Sequence, residues 1–422
     1  MRTEDAKART AFTYVTSLFF AWGFVTATID PLVPSVRAVF SLSFAESMLT
    51  QFAFFLAYGV VSLPAAGVVA RLGYPKSIVA ALACMIAGCL VIPLATTARL
   101  YVGVLAALFI IASGVTLLQV AANPLAAASG PADRSHFRLT LAQAFNSLGT
   151  VLAPYLGASL LLSGGVFAGE ASEAGFAESL RKIDIAFLVI AAVIALLVIV
   201  IWRARATLTA PARATPMAQG DDSVWTALRS PWALAGASAI FLYVGAEVSI
   251  GSVMINYLEN PAILNVRPEE AGRLLSLYWL GAMVGRFMGS ALLTKVRAGV
   301  LLAGAALIAA CLCLVVVTMS GMTPAVAALG IGLFNSIMFP TIFTLTLERS
   351  RAAASATAGV LCVAIVGGAA LPVLVGYIAD RATLSAAFAV PFVAYLGVAL
   401  FAVLALRRPA LRAGPASAPL AH

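Results

Sequence analysis

Beyond Ala11 the chain reads as long apolar stretches separated by short polar breaks. Within each stretch the apolar residues are continuous rather than alternating. Runs of about 20 such residues are long enough to cross a bilayer as helices, and continuous runs argue against a barrel, whose strands alternate. Twelve are present, at 12–36, 46–70, 76–96, 100–124, 137–163, 183–202, 231–258, 271–293, 298–319, 323–346, 354–379 and 384–406. The pattern predicts an all-α integral membrane protein with twelve transmembrane helices. The polar head MRTEDAKAR precedes a run that is itself a full span, so it reads as an uncleaved first helix and not a removable signal.

The longest polar break, RARATLTAPARATPMAQGDDSVWTALRS, follows six spans and precedes six more. It predicts an N-terminal six-helix bundle over 1–202, a cytoplasmic linker over 203–230, and a C-terminal six-helix bundle with a short cytoplasmic tail over 231–422. A faint repeat links the halves. LQVAANP in span 4 and FNSIMFP in span 10 each place an amide, Gln119 or Asn335, five residues ahead of a proline, and a second proline follows in the next span, Pro154 or Pro372. Related halves with pseudo-two-fold symmetry suit a transporter whose site lies at the midplane between them.

Composition agrees with this reading: 62% hydrophobic and 10% charged excludes a soluble domain of this size. The net charge of +9 would suit nucleic acid, but its distribution argues otherwise. With the N-terminus placed in the cytoplasm, one side receives only Arg37, Arg99, Arg181, Lys182, Arg267, Arg273 and Arg381. Arg286 stands inside a span, and every other Lys and Arg falls on the cytoplasmic side. That bias predicts that both termini lie in the cytoplasm. The cysteines, Cys84, Cys89, Cys311, Cys313 and Cys362, lie in spans without metal-ligand spacing and read as small core residues.

Three ionisable groups stand well inside spans, where a charge is expensive and function is the default expectation. Asp30, in TATIDPLVP, precedes two prolines that free backbone carbonyls for a cation or water. Glu247 sits near the middle of span 7, and an acid there is tolerable if it takes up and returns a proton. Arg286, in GAMVGRFMGS, lies on the cytoplasmic half of span 8 beside the stripe Gly281, Gly285, Gly289. A structural or gating role suits it, with its long stem free to snorkel. Carboxamides form a second group. Gln119 and Asn123 share a face of span 4, and Gln143 and Asn146 share a face of span 5. Amides donate and accept, as sugar hydroxyls do. On span 7, Ser252 and Asn256 share a face, but Glu247 falls about half a turn away from Asn256. Either the two residues have different tasks or the helix unwinds near Gly251. Trp22, Tyr243, Tyr257, Tyr278 and Trp279 offer aromatic faces, most of them expected to serve packing.

The segments QFAFFLAYGVVSLPAAG (51–67), LQVAANPL (118–125), FRLTLAQAFNSLGT (137–150), YVGAEVSIGS (243–252), GRFMGS (285–290), GLFNSIMFPTIFTL (332–345) and AIVGGAALPVLVGYIAD (364–380) run through nearly the whole chain. In them the chain resembles major facilitator transporters of the fucose:proton symporter family, and most of all their glucose/galactose branch. The resemblance implies the major facilitator fold and import of a hexose or deoxyhexose with protons by alternating access. It implies a proton-carrying role for Asp30, with Ile29 replacing an asparagine of fucose-transporting members, and sugar contacts for the amides of spans 4 and 5. Fucose-transporting members carry glutamate where Gln119 stands and glutamine where Glu247 stands, so the carboxylate has moved from span 4 to span 7. GVVARLGYPK (67–76) is a degenerate form of the superfamily's loop motif, with Arg71 as a gate or topology charge.

The expected site is therefore Asp30 and Glu247 for proton coupling, with Gln119, Asn123, Gln143, Asn146, Asn256 and Asn335 for the sugar. Arg71 and Arg286 are gating or structural, and no residue is expected to bind metal. No cofactor is expected; the coupling ion is H+, with Na+ left open. The expected partners are a small-molecule sugar and membrane lipids, not nucleic acid, and the carrier is expected to act as a monomer. The absence of GxSxG, HExxH and P-loop patterns argues against an enzyme. Alternatives are a carrier of the same fold for another solute, exporting or sodium-coupled, and a membrane sensor that does not transport.

Overall fold

The computed structural model describes residues 2–27, 40, 44–161, 173–214 and 223–411. Among the described residues every regular element is a helix. They are α1 (Arg2–Ala27), α2 (Phe44–Leu72), α3 (Tyr74–Thr97), α4 (Tyr101–Ala128), α5 (Ser135–Leu161), α6 (Glu173–Ala214), α7 (Pro231–Glu259), α8 (Pro268–Leu292) and α9 (Ala298–Thr318). Two interrupted helices follow, α10a (Met322–Asn335) with α10b (Met338–Arg349) and α11a (Ala354–Val363) with α11b (Gly367–Arg381), and then α12 (Ala389–Arg407). Among the described residues, ten helices are long and apolar enough to cross a membrane. The other two predicted spans fall on α5 and α8, helices of 27 and 25 residues that carry the polar side chains described below.

Local chemistry explains the ends and breaks. Ser230 caps α7 by accepting from the Ala233 amide at 3.3 Å, and Pro231 occupies the first turn, where an amide hydrogen would have no partner anyway. The stretch 203–214, expected as linker, continues α6 as helix, with Arg205 stacked 4.6 Å over the Trp202 ring. The α10 break has a specific cause. Pro340 has no amide hydrogen, so the carbonyl four residues earlier, on Ser336, loses its helical donor. The helix stops at Asn335 and restarts at Met338.

By internal contacts the chain forms two compact units. One is Met1–Leu125 with Phe145–Arg213, the other Ala126–Ala144 with Ala214–His422. In the first, α1 and α5 approach closely. A side chain on Gly23 would strike the Asn146 carbonyl, and one on Gly149 the Phe20 carbonyl. In the second, α7 packs on α11b and α12, α8 on α10a, and α9 on α12. The α8–α10a seam is equally tight, since a side chain on Gly285 would meet the Leu333 carbonyl and the Ser336 hydroxyl.

Arg138, sorted from sequence among the cytoplasmic charges, is buried. Its guanidinium donates to the Ala126, Ala127 and Pro131 carbonyls, closing off the C-terminus of α4.

Candidate functional site

The second unit gathers buried polar groups from α7, α8, α10a and α12. α7 is continuous through Gly251, so Glu247 and Asn256 do lie on different faces. Glu247 points into the bundle with a side chain 14% exposed, whereas Asn256 and Ser252 lie on the exposed face. Of the two alternatives, separate tasks fit the geometry.

Arg286 turns inward. Its Nη2 lies 3.6 Å from Glu247 Oε1, and its Nε donates to the Ser336 carbonyl at 3.1 Å. That carbonyl is the one released by Pro340, so one guanidinium answers both a broken helix and a buried acid. The separation from Glu247 is an ion-pair distance longer than a hydrogen bond. Tyr243, one turn before Glu247 on α7, directs its hydroxyl toward the carboxyl without a tight hydrogen-bond geometry. The Tyr278 hydroxyl donates to the Glu247 backbone carbonyl at 3.4 Å and accepts from Asn335 Nδ2 at 2.8 Å. Tyr395 brings a third hydroxyl, beside Asn335. The helix break, the acid and three tyrosines thus form one polar core in an otherwise apolar bundle.

In the first unit, Gln119 Nε2 donates to the Tyr58 hydroxyl, linking α4 to α2. Asn123, one turn further along α4, is fully buried. Asn146 Nδ2 donates to the Phe19 carbonyl at 3.0 Å, at the close approach of α5 to α1. Gln143, which belongs to the other unit, is also buried. Trp22 is buried against Phe19, ring centroids 5.2 Å apart. Arg71 is exposed in the last turn of α2. Asp30 lies outside the described residues.

Sequence reasoning missed a further cluster. Glu348, in the last turn of α10b, accepts from Ser135 Oγ at 2.9 Å and pairs with His136 Nε2 at 3.1 Å and Arg349 Nη1 at 3.3 Å. Arg349 also donates to the Ala405 carbonyl at 3.1 Å, and the Leu411 amide to the Glu348 carbonyl at 3.0 Å. The start of α5 is pinned to the end of α10b and to the tail of α12. The only sequence signal was a lone histidine at a span edge. The Tyr243–Glu247 spacing of one helical turn was legible, but tyrosines in membrane helices are common and it carried no weight.

Comparisons with known proteins bear on the family and the fold. The family model described as Major Facilitator Superfamily matches residues 15–361. A glucose/galactose transporter of Brucella abortus biovar 1 (strain 9-941) is 41% identical over 404 residues, 93% of each chain. The L-fucose-proton symporter of Escherichia coli (strain K12) is 28% identical over 410 residues, covering 93% of this chain and 92% of the relative. Among solved structures, the transporter FucP in the outward conformation superposes with a TM-score of 0.81 at 26% identity, covering 94% of this chain and 99% of that one.

Proposed function

Because the chain belongs to the Major Facilitator Superfamily, we propose that it is a proton-coupled symporter that imports a hexose or deoxyhexose by alternating access. Relatives named as glucose/galactose and L-fucose-proton carriers support the substrate class and the ion. The observation that carries the coupling is the Glu247–Arg286 pair.

Glu247 can hold either protonation state while Arg286 keeps a hydrogen-bond partner. Ionised, it faces the Arg286 guanidinium. Protonated, it frees an arginine that keeps a partner in the Ser336 carbonyl. The 3.6 Å spacing leaves room for a proton, which a tight bidentate pair would not. A proton taken up outside and lost inside carries one charge through the membrane potential. At 100 mV that is worth about 2.3 kcal/mol, roughly fifty-fold accumulation per proton. One acid is therefore sufficient; Asp30 is a second candidate carrier. Gln119, Asn123, Gln143, Asn146 and Asn256 supply donors and acceptors for sugar hydroxyls. Asn335, bonded to Tyr278, holds the surroundings of Glu247 instead. Arg71 acts at the cytoplasmic end of α2. The carrier works as a monomer in a bacterial inner membrane with both termini in the cytoplasm.

The test is uptake into proteoliposomes under an imposed pH gradient or an imposed sodium gradient, across a panel of hexoses and deoxyhexoses. Outside acid should drive accumulation of at least one sugar with no sodium requirement. Accumulation driven by sodium alone would overturn the assignment of the ion, and lack of response to any sugar would overturn the substrate class.

A further inference from the structure

A cavity of about 280 Å³ lies on the outer surface of the second unit, among α8, α9 and α10a. Its walls are almost wholly apolar, and Met288, Leu292, Val300 and Ile308 at its edges are exposed, so it opens sideways from the bundle. Two features make it more than a packing gap. Gly304 of α9 lines it, and a side chain at that position would meet nothing within 4 Å. The loop that closes one end, between α8 and α9, is basic. Lys295 and Arg297 are exposed and flank Val296, which itself lines the cavity. The stretch from Gly285 to Ile308 contains Arg286, Lys295 and Arg297 and no Asp or Glu.

An apolar slot whose one polar end is cationic matches an acyl chain attached to an anionic headgroup. A second copy of this chain fits less well, because two such rims brought together would repel. We propose that the groove among α8, α9 and α10a is a binding site for an anionic phospholipid, one acyl chain in the cavity and the headgroup phosphate on Lys295 and Arg297. With the topology proposed above, the lipid belongs to the cytoplasmic leaflet; the site itself rests on the cavity and its rim. The inner wall includes Ser336, whose carbonyl holds Arg286. A seated acyl chain therefore packs against the residue at the α10 break whose carbonyl holds Arg286.

The experiment uses the full-length carrier in liposomes containing phosphatidylglycerol or phosphatidylcholine with a photoreactive acyl chain. Labelled peptides are mapped by mass spectrometry. Phosphatidylglycerol should label the segments 285–308 and 333–337 roughly thirtyfold more than phosphatidylcholine, as expected for two cationic contacts to one anionic head. Gly304→Leu, which fills the slot from an open position, should abolish labelling there while sugar exchange persists. The pair Lys295→Gln and Arg297→Gln should reduce phosphatidylglycerol labelling to the phosphatidylcholine level, and this arm decides the matter if Gly304→Leu does not fold. Equal labelling by both lipids in the unsubstituted carrier, no labelling of these segments, or cross-links to a second copy in their place would overturn the proposal. So would labelling unchanged in a folded Gly304→Leu protein.

Discussion

Replacing Arg286 by methionine removes a charge, a donor and little volume. Two partners are then left behind in the bundle interior. The Ser336 carbonyl loses a 3.1 Å hydrogen bond from a charged donor, and Pro340 prevents the helix from supplying another. Such bonds contribute about 1.5–3 kcal/mol. Glu247 loses the cation 3.6 Å away. Stranding one member of a buried pair costs about 3–5 kcal/mol, and the long spacing and residual exposure place this pair below that range, because Glu247 can protonate. Together these give about 3 kcal/mol for Arg286→Met. Glu247→Gln alone should cost about 1 kcal/mol, since Arg286 keeps Ser336. The double variant should cost only about 2 kcal/mol, because a neutral amide does not need the guanidinium. The cycle therefore predicts a coupling energy of about 2 kcal/mol. Unfolding of the purified carrier in an SDS titration, followed by circular dichroism, measures all four corners. Additivity within about 0.5 kcal/mol would mean that the two side chains are neighbours without interacting, and would refute the balanced-pair argument.

Three further outcomes are expected. Gln119→Leu and Tyr58→Phe break the same α4–α2 hydrogen bond; in sugar counterflow Gln119→Leu should weaken apparent affinity about tenfold, the value of one hydrogen bond, and Tyr58→Phe should do less because the amide remains available to substrate. Gly149→Val should abolish folded protein in detergent, as its side chain would enter the Phe20 carbonyl, whereas Gly304→Ala, facing open space, should raise thermal stability by up to about 1 kcal/mol. Arg138→Gln should cost about 2 kcal/mol in the same SDS titration through the exposed carbonyls of α4, and wild-type stability would contradict its capping role.

The spans were legible because bilayer thickness sets helix length, and each predicted stretch overlaps a described helix, although α1 begins at Arg2 and not at 12, and α6 runs from Glu173 to Ala214 and not over 183–202. The interruptions of α10 and α11 were less so. Pro340 stood in view, yet Pro64, Pro93 and Pro124 lie inside unbroken helices, and Pro372 lies inside α11b, beyond the α11 interruption at 364–366. A proline alone does not decide whether a helix parts. Tertiary partners do, and Arg286 is the one that answers the freed carbonyl in α10. The site was half legible. Glu247 and Arg286 were singled out separately, since each is costly in lipid, but their pairing needs the α7–α8 approach, which no local pattern encodes. The same holds for Arg138 and Glu348: positive-inside counting treats a cytoplasmic arginine as a topology signal and is blind to whether it also closes a helix.

The most direct test of the central claim is transport by Glu247→Gln in proteoliposomes, measured as sugar exchange at equilibrium and as accumulation under an imposed pH gradient. The account predicts that exchange persists, because the fold and the amides are intact, while accumulation falls to the equilibrium level. Accumulation equal to that of the unsubstituted carrier would contradict it, because the proton would then be travelling on another group.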